Sequence, residues 1–234
     1  MSVRGKLFGI GVGPGDPELL TLKAIKTIKE CDVIAVPKAG EGEGTAFSII
    51  EQYLDNKDLI ECGFAMDKDM GKRWEARRLA ADQIIQYLNR GKKVGFVTLG
   101  DPTTYSTYMY VHDIIVGRGF ETGIIPGVTS YSAAAAALGL ALCEGDAILT
   151  IIPAAHSENI DEMLEYPGNK VVMKSGDNLA HVLTRLKERG YGDRTKIAYR
   201  VSLDGQRLYT SIEDYEKSPE TGYFTIVIVS MAGE

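Results

Sequence analysis

The chain has 234 residues, 44% hydrophobic and 25% charged, with a net charge of −6 at pH 7. That is room for one large or two small domains with a real core, and it excludes a general nucleic-acid binder, which needs a basic surface. No apolar run approaches the ~20 residues of a membrane span, and the opening MSVRGKLFGIGVG lacks a signal-cleavage pattern. A cytoplasmic protein with no membrane partner is expected. Cys31, Cys62 and Cys143 are odd in number and widely spaced, and His112, His156 and His181 show no ligand spacing, so free thiols and no metal site are expected.

Lys6 to Val12 reads as a short apolar strand that ends in GVGPGDPELLTLKA. The nearest familiar pattern is the dinucleotide fingerprint, but its third glycine falls on Asp16, and a carboxylate is electrostatically wrong in a phosphate cradle. The second strand, Cys31 to Val36, runs into Pro37 and Lys38 where that fold wants an acid. Between them Pro17 opens a first turn, Thr21 caps, and Leu22, Ile25 and Ile28 form one apolar helical face. Gly40, Gly42 and Gly44 make Lys38 to Thr45 a candidate mobile loop, and Thr45 caps a helix running to about Leu54.

Leu59 to Phe64 is a third strand, and Met70 to Arg90 a long helix closed by Gly91. Trp74, Leu79, Ile84, Ile85 and Leu88 are its expected buried side. Lys72, Arg73, Arg77 and Arg78 cluster near its start, as a solvated face or as a carboxylate-capturing one.

The stretch that organises the chain follows. Val94 to Leu99 is a buried strand that stops at Gly100, Asp101 and Pro102 and releases TTYST into a helix from Tyr105 to Arg118. In an open parallel sheet ligands sit at the carboxyl ends of strands, where loop backbone and helix amino termini converge. Gly, Asp and Pro are also the commonest turn residues, so plain strand-to-turn punctuation fits the same letters. Glu121 to Ile125 is the next strand. Pro126 and Gly127 then lead into VTSYSAAAAALG, a helix whose alanines, Ala133 to Ala137, permit close packing on a sheet and whose start carries Thr129, Ser130 and Ser132.

Beyond Gly139 the strand-like segments are 147–152, 170–173, 196–201, 207–211 and 224–230, with one helix from Leu179 to Arg189 ended by Gly190. Strands this close together, with few helices between them, predict a mixed sheet with antiparallel members. The expected fold is therefore α/β with two α/β domains, 1–127 and 128–234. No GxSxG, HExxH or GxxxxGK followed by Ser or Thr is present, so the hydrolase-elbow, zinc-protease and P-loop readings lack their signatures.

GVGPGDPELLTLKA, LGDPTTYST, PGVTSYSAAAAALG and the terminal FTIVIVS, in this order and spacing, resemble the tetrapyrrole (corrin/porphyrin) methyltransferases over essentially the whole chain. The resemblance implies a ligand cleft between two α/β domains, S-adenosylmethionine as methyl donor with S-adenosylhomocysteine as product, a tetrapyrrole substrate and a homodimer. Carried over position by position, it implies donor contacts at Leu99, Gly100, Asp101, Thr104, Thr129, Ser130, Met173, Lys174, Tyr199, Arg200, Ser202 and Thr225. The loop with Pro14 and Asp16, together with Tyr105, would border the macrocycle.

GDPTTYST and VIAVPK look most like the members that methylate C20 of precorrin-2 or cobalt-factor II in cobalamin biosynthesis. Val36 and Pro37 stand where uroporphyrinogen III methyltransferases carry Tyr-Asp. A same-fold enzyme acting at another position of a tetrapyrrole such as uroporphyrinogen III or a later precorrin, or on a protein or RNA, is the alternative enzyme reading. A binding protein without turnover is the reading outside the enzymes. Arg73, Arg77 and Arg200 suit the substrate's carboxylates, and the catalytic base is left open among Asp16, Tyr105 and the macrocycle's own nitrogens.

Overall fold

The computed structural model describes residues 4–38, 45–64, 69–155, 159–220, 222 and 224–231. The expected mobile loop over 38–45 lies almost wholly outside the described residues. The chain divides into two compact units, Met1–Thr129 and Ser130–Glu234.

The first unit is a parallel sheet in the order β3-β2-β4-β1-β5, built from β1 (Lys6–Gly11), β2 (Val33–Lys38), β3 (Asp58–Gly63), β4 (Lys93–Thr98) and β5 (Glu121–Ile125). Every pairing is parallel, so all five carboxyl ends share one edge. Helices α1 (Leu22–Glu30) and α2 (Thr45–Ile50) cover one face through Ala24, Ile28, Ala46, Ile49 and Ile50, packed on Ile10, Ile34 and Val97. Helices α3 (Met70–Leu88) and α4 (Tyr108–Gly117) cover the other through Ala81, Ile84, Val111 and Ile115, on Leu7, Val33 and Phe96. Thr21 caps α1 as expected, its hydroxyl accepting from the Ala24 amide at 3.0 Å. Asp16 caps a short 3-10 turn, Pro17–Leu19.

Two expectations for α3 fail. Trp74 and Leu79 are 54% and 51% exposed, and the buried side is Ala80, Ala81, Ile84 and Leu88. The 19-residue helix is about 28 Å long at ~1.5 Å per residue, whereas a six-residue strand spans about 20 Å. With Leu88 near the amino edge, where the Gly5 amide donates to its carbonyl, the first turns with Trp74 project past the carboxyl edge. Leu79 lies about 100° around the helix from Ala80, off the packed stripe. Helix α4 begins at Tyr108, not Tyr105, because Tyr105 is left-handed at φ 50 and cannot enter a right-handed helix.

The second unit is a mixed sheet in the order β6-β7-β10-β8-β9, from β6 (Leu149–Pro153), β7 (Asn169–Met173), β8 (Thr195–Tyr199), β9 (Arg207–Tyr209) and β10 (Thr225–Val229). Only β6 and β7 pair in parallel; β10 runs antiparallel to β7 and β8, and β9 to β8. Helices α6 (Ile160–Leu164), α7 (Leu179–Glu188) and α8 (Ile212–Lys217) form its main core with Ile152, Val172, Ile197 and Val227. Helix α5 (Ser130–Leu138) packs on β8 and β10 through Ala133, Ala134 and Ala135, while Ala136 and Ala137 face out. Helices α6 and α8, at five and six residues, are too short to leave a helical period, and neither was expected. Ser211, expected as strand, instead caps α8 by accepting from the Asp214 amide at 3.0 Å. Strand β8 stops at Tyr199, short of the expected Val201, because Arg200 is left-handed at φ 50. No helix among the described residues is long and apolar enough to cross a membrane, and among them no group of His, Cys, Asp or Glu could hold a metal ion.

Candidate active site

At the carboxyl edge of the first sheet, three glycine-bearing strand ends meet backbone to backbone. Gly13 and Gly100 form an antiparallel bridge, with the Gly100 amide donating to the Gly13 carbonyl at 2.7 Å and the Gly13 amide to the Gly100 carbonyl at 3.3 Å. A Cβ on Gly127 would lie 2.2 Å from the Gly100 carbonyl oxygen, and one on Gly11 would lie 2.6 Å from the Gly127 nitrogen. Only glycine permits that approach. The loop Gly-Pro-Gly-Asp, the Gly100-Asp101-Pro102 loop and the Pro126-Gly127 turn are thereby locked into one surface.

Asp101 completes the lock. One carboxylate oxygen accepts the Thr103 amide at 2.8 Å and the Thr103 hydroxyl, and the other accepts the Gly127 amide at 3.0 Å. The side chain is 8% exposed and both of its oxygens serve the loop, so what Gly100, Asp101 and Thr104 offer outward is chiefly main chain and the Thr104 hydroxyl. Behind them the Thr98 and Ser106 hydroxyls pair at 2.9 Å, and Ser106 accepts the Tyr108 amide at 3.2 Å, seating α4. Leu99 is half-buried at the rim. Tyr105 is 45% exposed.

Pro14 is buried in this junction, and Asp16 accepts the Glu18 amide at 2.8 Å. Of the basic cluster, Arg78 is tied within its own helix to Glu75 at 2.6 Å and Asp82 at 2.9 Å. The Arg77 guanidinium lies 3.6 Å from the centroid of the Tyr110 ring, and Arg73 places an Nη 2.8 Å from the Met70 sulfur, its Nε buried and without a partner among the described residues. Arg73 and Arg77 thus sit on the projecting start of α3, while Arg78 is a lacing residue.

The second unit collects its expected residues at one edge of its own sheet. Thr225 pairs with Tyr199 and Ile226 with Met173, so the ends of β7 and β8 and the start of β10 lie side by side. Met173 is 8% exposed, and the fully buried Thr225 donates its hydroxyl to the Gly222 carbonyl at 3.2 Å. Thr225 is thus a structural side chain at this edge, whereas Lys174, Tyr199, Arg200 and Ser202 are half-exposed. Thr129 and Ser130 flank the start of α5 and are half-exposed as well.

Backbone strain marks the same places. Among the described residues, six that are not glycine have a left-handed φ: Asp55, Asn56, Tyr105, Lys174, Arg200 and Ser202. The first two form an ordinary Asp-Asn turn. The other four, at φ 50, 53, 50 and 62, all follow the ends of β4, β7 or β8, and each is a residue assigned to ligand binding from the motifs. Such conformations cost of order 1 kcal/mol or more apiece and concentrate where a loop is shaped for a ligand. Residues that the motifs did not single out are Gly127, whose amide is a donor to the Asp101 lock, and Gln206, whose side chain accepts the Ser202 amide at 2.8 Å. The Pro-Gly after β5 was a usable signal for the first; nothing local announces the second.

A family profile described as Tetrapyrrole (Corrin/Porphyrin) Methylases matches residues 6–215. The chain is 37% identical over 188 residues to a probable cobalt-precorrin-2 C(20)-methyltransferase of Methanocaldococcus jannaschii, covering 79% of this chain and 78% of that protein. It is 32% identical over 237 residues to a precorrin-2 C(20)-methyltransferase of a Sinorhizobium species, covering 96% and 95%. In fold it is similar to the uroporphyrin-III C-methyl transferase of Thermus thermophilus complexed with S-adenyl homocysteine, with a TM-score of 0.72, 22% identity and coverage of 97% and 98%. With the profile spanning most of its length and relatives this similar, the chain belongs to the tetrapyrrole (corrin/porphyrin) methylases.

Proposed function

We propose that this protein is an S-adenosylmethionine-dependent C-methyltransferase that methylates C20 of precorrin-2 or cobalt-factor II in cobalamin biosynthesis, working as a cytoplasmic homodimer. Two relatives bearing C20-methyltransferase names, at 37% and 32% identity, support the position. The observation that carries the site is the strain at Tyr105, Lys174, Arg200 and Ser202, the residues that the motifs independently pick out.

When bound, S-adenosylmethionine supplies a sulfonium methyl group that passes in line to a nucleophilic carbon. The protein's part is then to position two ligands. On the positions that the resemblance implies, Gly100, Asp101, Thr104, Thr129 and Ser130 would offer main-chain and hydroxyl groups to the donor, as would Met173, Lys174, Tyr199 and Ser202. Carbonyls suit a sulfonium because they favour its charge without competing as nucleophiles. The residues fit the group in one testable respect: at Gly100 and Gly176 a Cβ would meet nothing within 4 Å, so at both turns the main chain faces open space. Tyr105 and the Asp16 loop border the macrocycle.

The test is incubation with radiolabelled methyl donor and precorrin-2, with and without cobalt. Label at C20 is expected. Label at another carbon refutes the position, and no label together with no calorimetric binding of S-adenosylhomocysteine refutes the methyltransferase. Light scattering in solution checks the dimer.

A further inference from the structure

The loop after β8 is folded around one side chain, Arg200. The Leu203 amide donates to the Arg200 carbonyl at 3.0 Å, and the Gln206 amide to the Leu203 carbonyl at 3.1 Å. That second bond closes a turn in which Gly205, at φ 79, takes the third place, where a positive φ is required. The turn aims the Asp204 carbonyl at Arg200, whose Nε donates to it at 2.8 Å. The guanidinium lies 5.6 Å from the centroid of the Phe224 ring, and the Arg200 amide donates to the Phe224 carbonyl at 3.2 Å. The guanidinium is therefore fixed at Nε and backed by a ring, while neither Nη has a partner and no carboxylate lies within 4.0 Å among the described residues.

That combination separates Arg200 from the arginines that the protein closes with its own carboxylates. Arg78, Arg185 and Arg189 are each closed by a carboxylate of the protein. Arg200 keeps its charge open, on a half-buried side chain, at a strand end where two left-handed residues, Arg200 and Ser202, hold the loop in an unfavourable backbone. A planar fork anchored at one nitrogen and open at two is the geometry that grips a carboxylate through paired N–H donors.

We propose that Arg200 is the carboxylate receptor of this site, with both Nη groups donating to one carboxylate of the bound ligand. The inference rests on the methyltransferase reading, which supplies two sources of that chemistry: the amino-acid end of the methyl donor and the carboxylates of the tetrapyrrole. Lysine keeps the charge at this position but not the fork, and methionine keeps the stem but neither.

The experiment compares wild type, Arg200→Lys and Arg200→Met by calorimetry with S-adenosylhomocysteine and with its decarboxylated analogue. Fluorescence titration with uroporphyrin serves as a stable tetrapyrrole polycarboxylate. A bidentate charged contact predicts about a 10- to 100-fold loss of affinity for the ligand whose carboxylate is held. A donor source shows as weakened S-adenosylhomocysteine in both variants with the decarboxylated analogue unchanged. A substrate source shows as weakened uroporphyrin with S-adenosylhomocysteine unchanged. Both variants melting and binding every ligand as wild type does overturns the inference alone. Should Arg200→Met not fold, Arg200→Lys decides, since it preserves charge and backbone and must still weaken one carboxylate ligand. Wild type that binds none of the three ligands overturns the methyltransferase reading itself.

Discussion

Asp101→Asn separates a carboxylate that holds the loop from one that holds the ligand. In the protein the two oxygens accept three donors, the Thr103 amide and hydroxyl on one and the Gly127 amide on the other. An amide has one acceptor oxygen. With that oxygen left facing Thr103, its NH2 confronts the Gly127 N–H across the present 3.0 Å, and a charge-assisted bond is replaced by two opposed donors. Losing such a bond costs about 1.5–3 kcal/mol. At about 2–4 °C per kcal/mol for a chain of this size, the melting temperature should fall by about 3–12 °C. Asp101→Ala, which abandons all three donors, should fall further. Circular dichroism melting and calorimetry with S-adenosylhomocysteine are the assays. If the lock is the carboxylate's role, weakened binding comes only together with the lowered melting temperature. An Asp101→Asn protein that melts within a degree of wild type yet binds S-adenosylhomocysteine tenfold more weakly refutes the lock and hands the carboxylate to the ligand.

Gly9→Ala should cost about 1–3 kcal/mol by overpacking, because its Cβ would lie 2.2 Å from the Tyr108 ring, which Phe96 and His112 box in. Paired with Tyr108→Ala the cost should be clearly less than additive in chemical denaturation, and full additivity would disprove the clash. Thiol titration at pH 8 should find one fast-reacting cysteine, Cys143, which is exposed, since burial pushes the Cys31 and Cys62 thiols up to about 12. All three should react in denaturant; three fast thiols in the native protein would contradict the packing of β2 and β3. Asp32 accepts the Lys93 amide at 2.8 Å and faces Lys92 at 3.2 Å, and these hold its carboxyl below the ordinary range, the backbone bond most. A depressed carboxylate stabilises above its unfolded pKa and loses that contribution as pH falls through its folded one. Asp32→Asn should therefore melt lower than wild type at pH 7 by only about 1–2 °C, the site being exposed, with the gap closing in acid.

Most strands were legible because they are dense apolar runs with β-branched residues; VIAV, FVT, KVVM and TIVIV all sit within a residue or two of where they were expected. The cap at Thr21, the start of α2 at Thr45 and the close of α3 near Gly91 followed from the same local chemistry. What local chemistry missed is instructive in each case. Trp74 has the right helical phase for burial, yet phase says nothing about how far a helix outruns its sheet. Helices α6 and α8 owe their existence to the surface they cover, Leu164 and Ile212 being 1% and 0% exposed, not to length or period. Asp101 could be read as turn or ligand group, and the answer depended on Gly127, 26 residues away.

The misplaced boundaries at Tyr105 and Arg200 carry more than error. Both were given to a regular element because tyrosine and arginine ordinarily keep a negative φ, and both turn out left-handed at φ 50. A sequence specifies its fold when local preference and tertiary demand agree, and where they disagree the surroundings must over-determine the backbone. At Arg200 those surroundings can be named: the Phe224 carbonyl, the Asp204 carbonyl and the Gln206 side chain at Ser202. None of these is needed to close a sheet whose β8–β9 pairing already spans Ile197 to Tyr199. They position a guanidinium. The place where reading by propensity fails is thus the place where the chain accepts strain to present a charge, and it is there that a ligand's carboxylate should be sought.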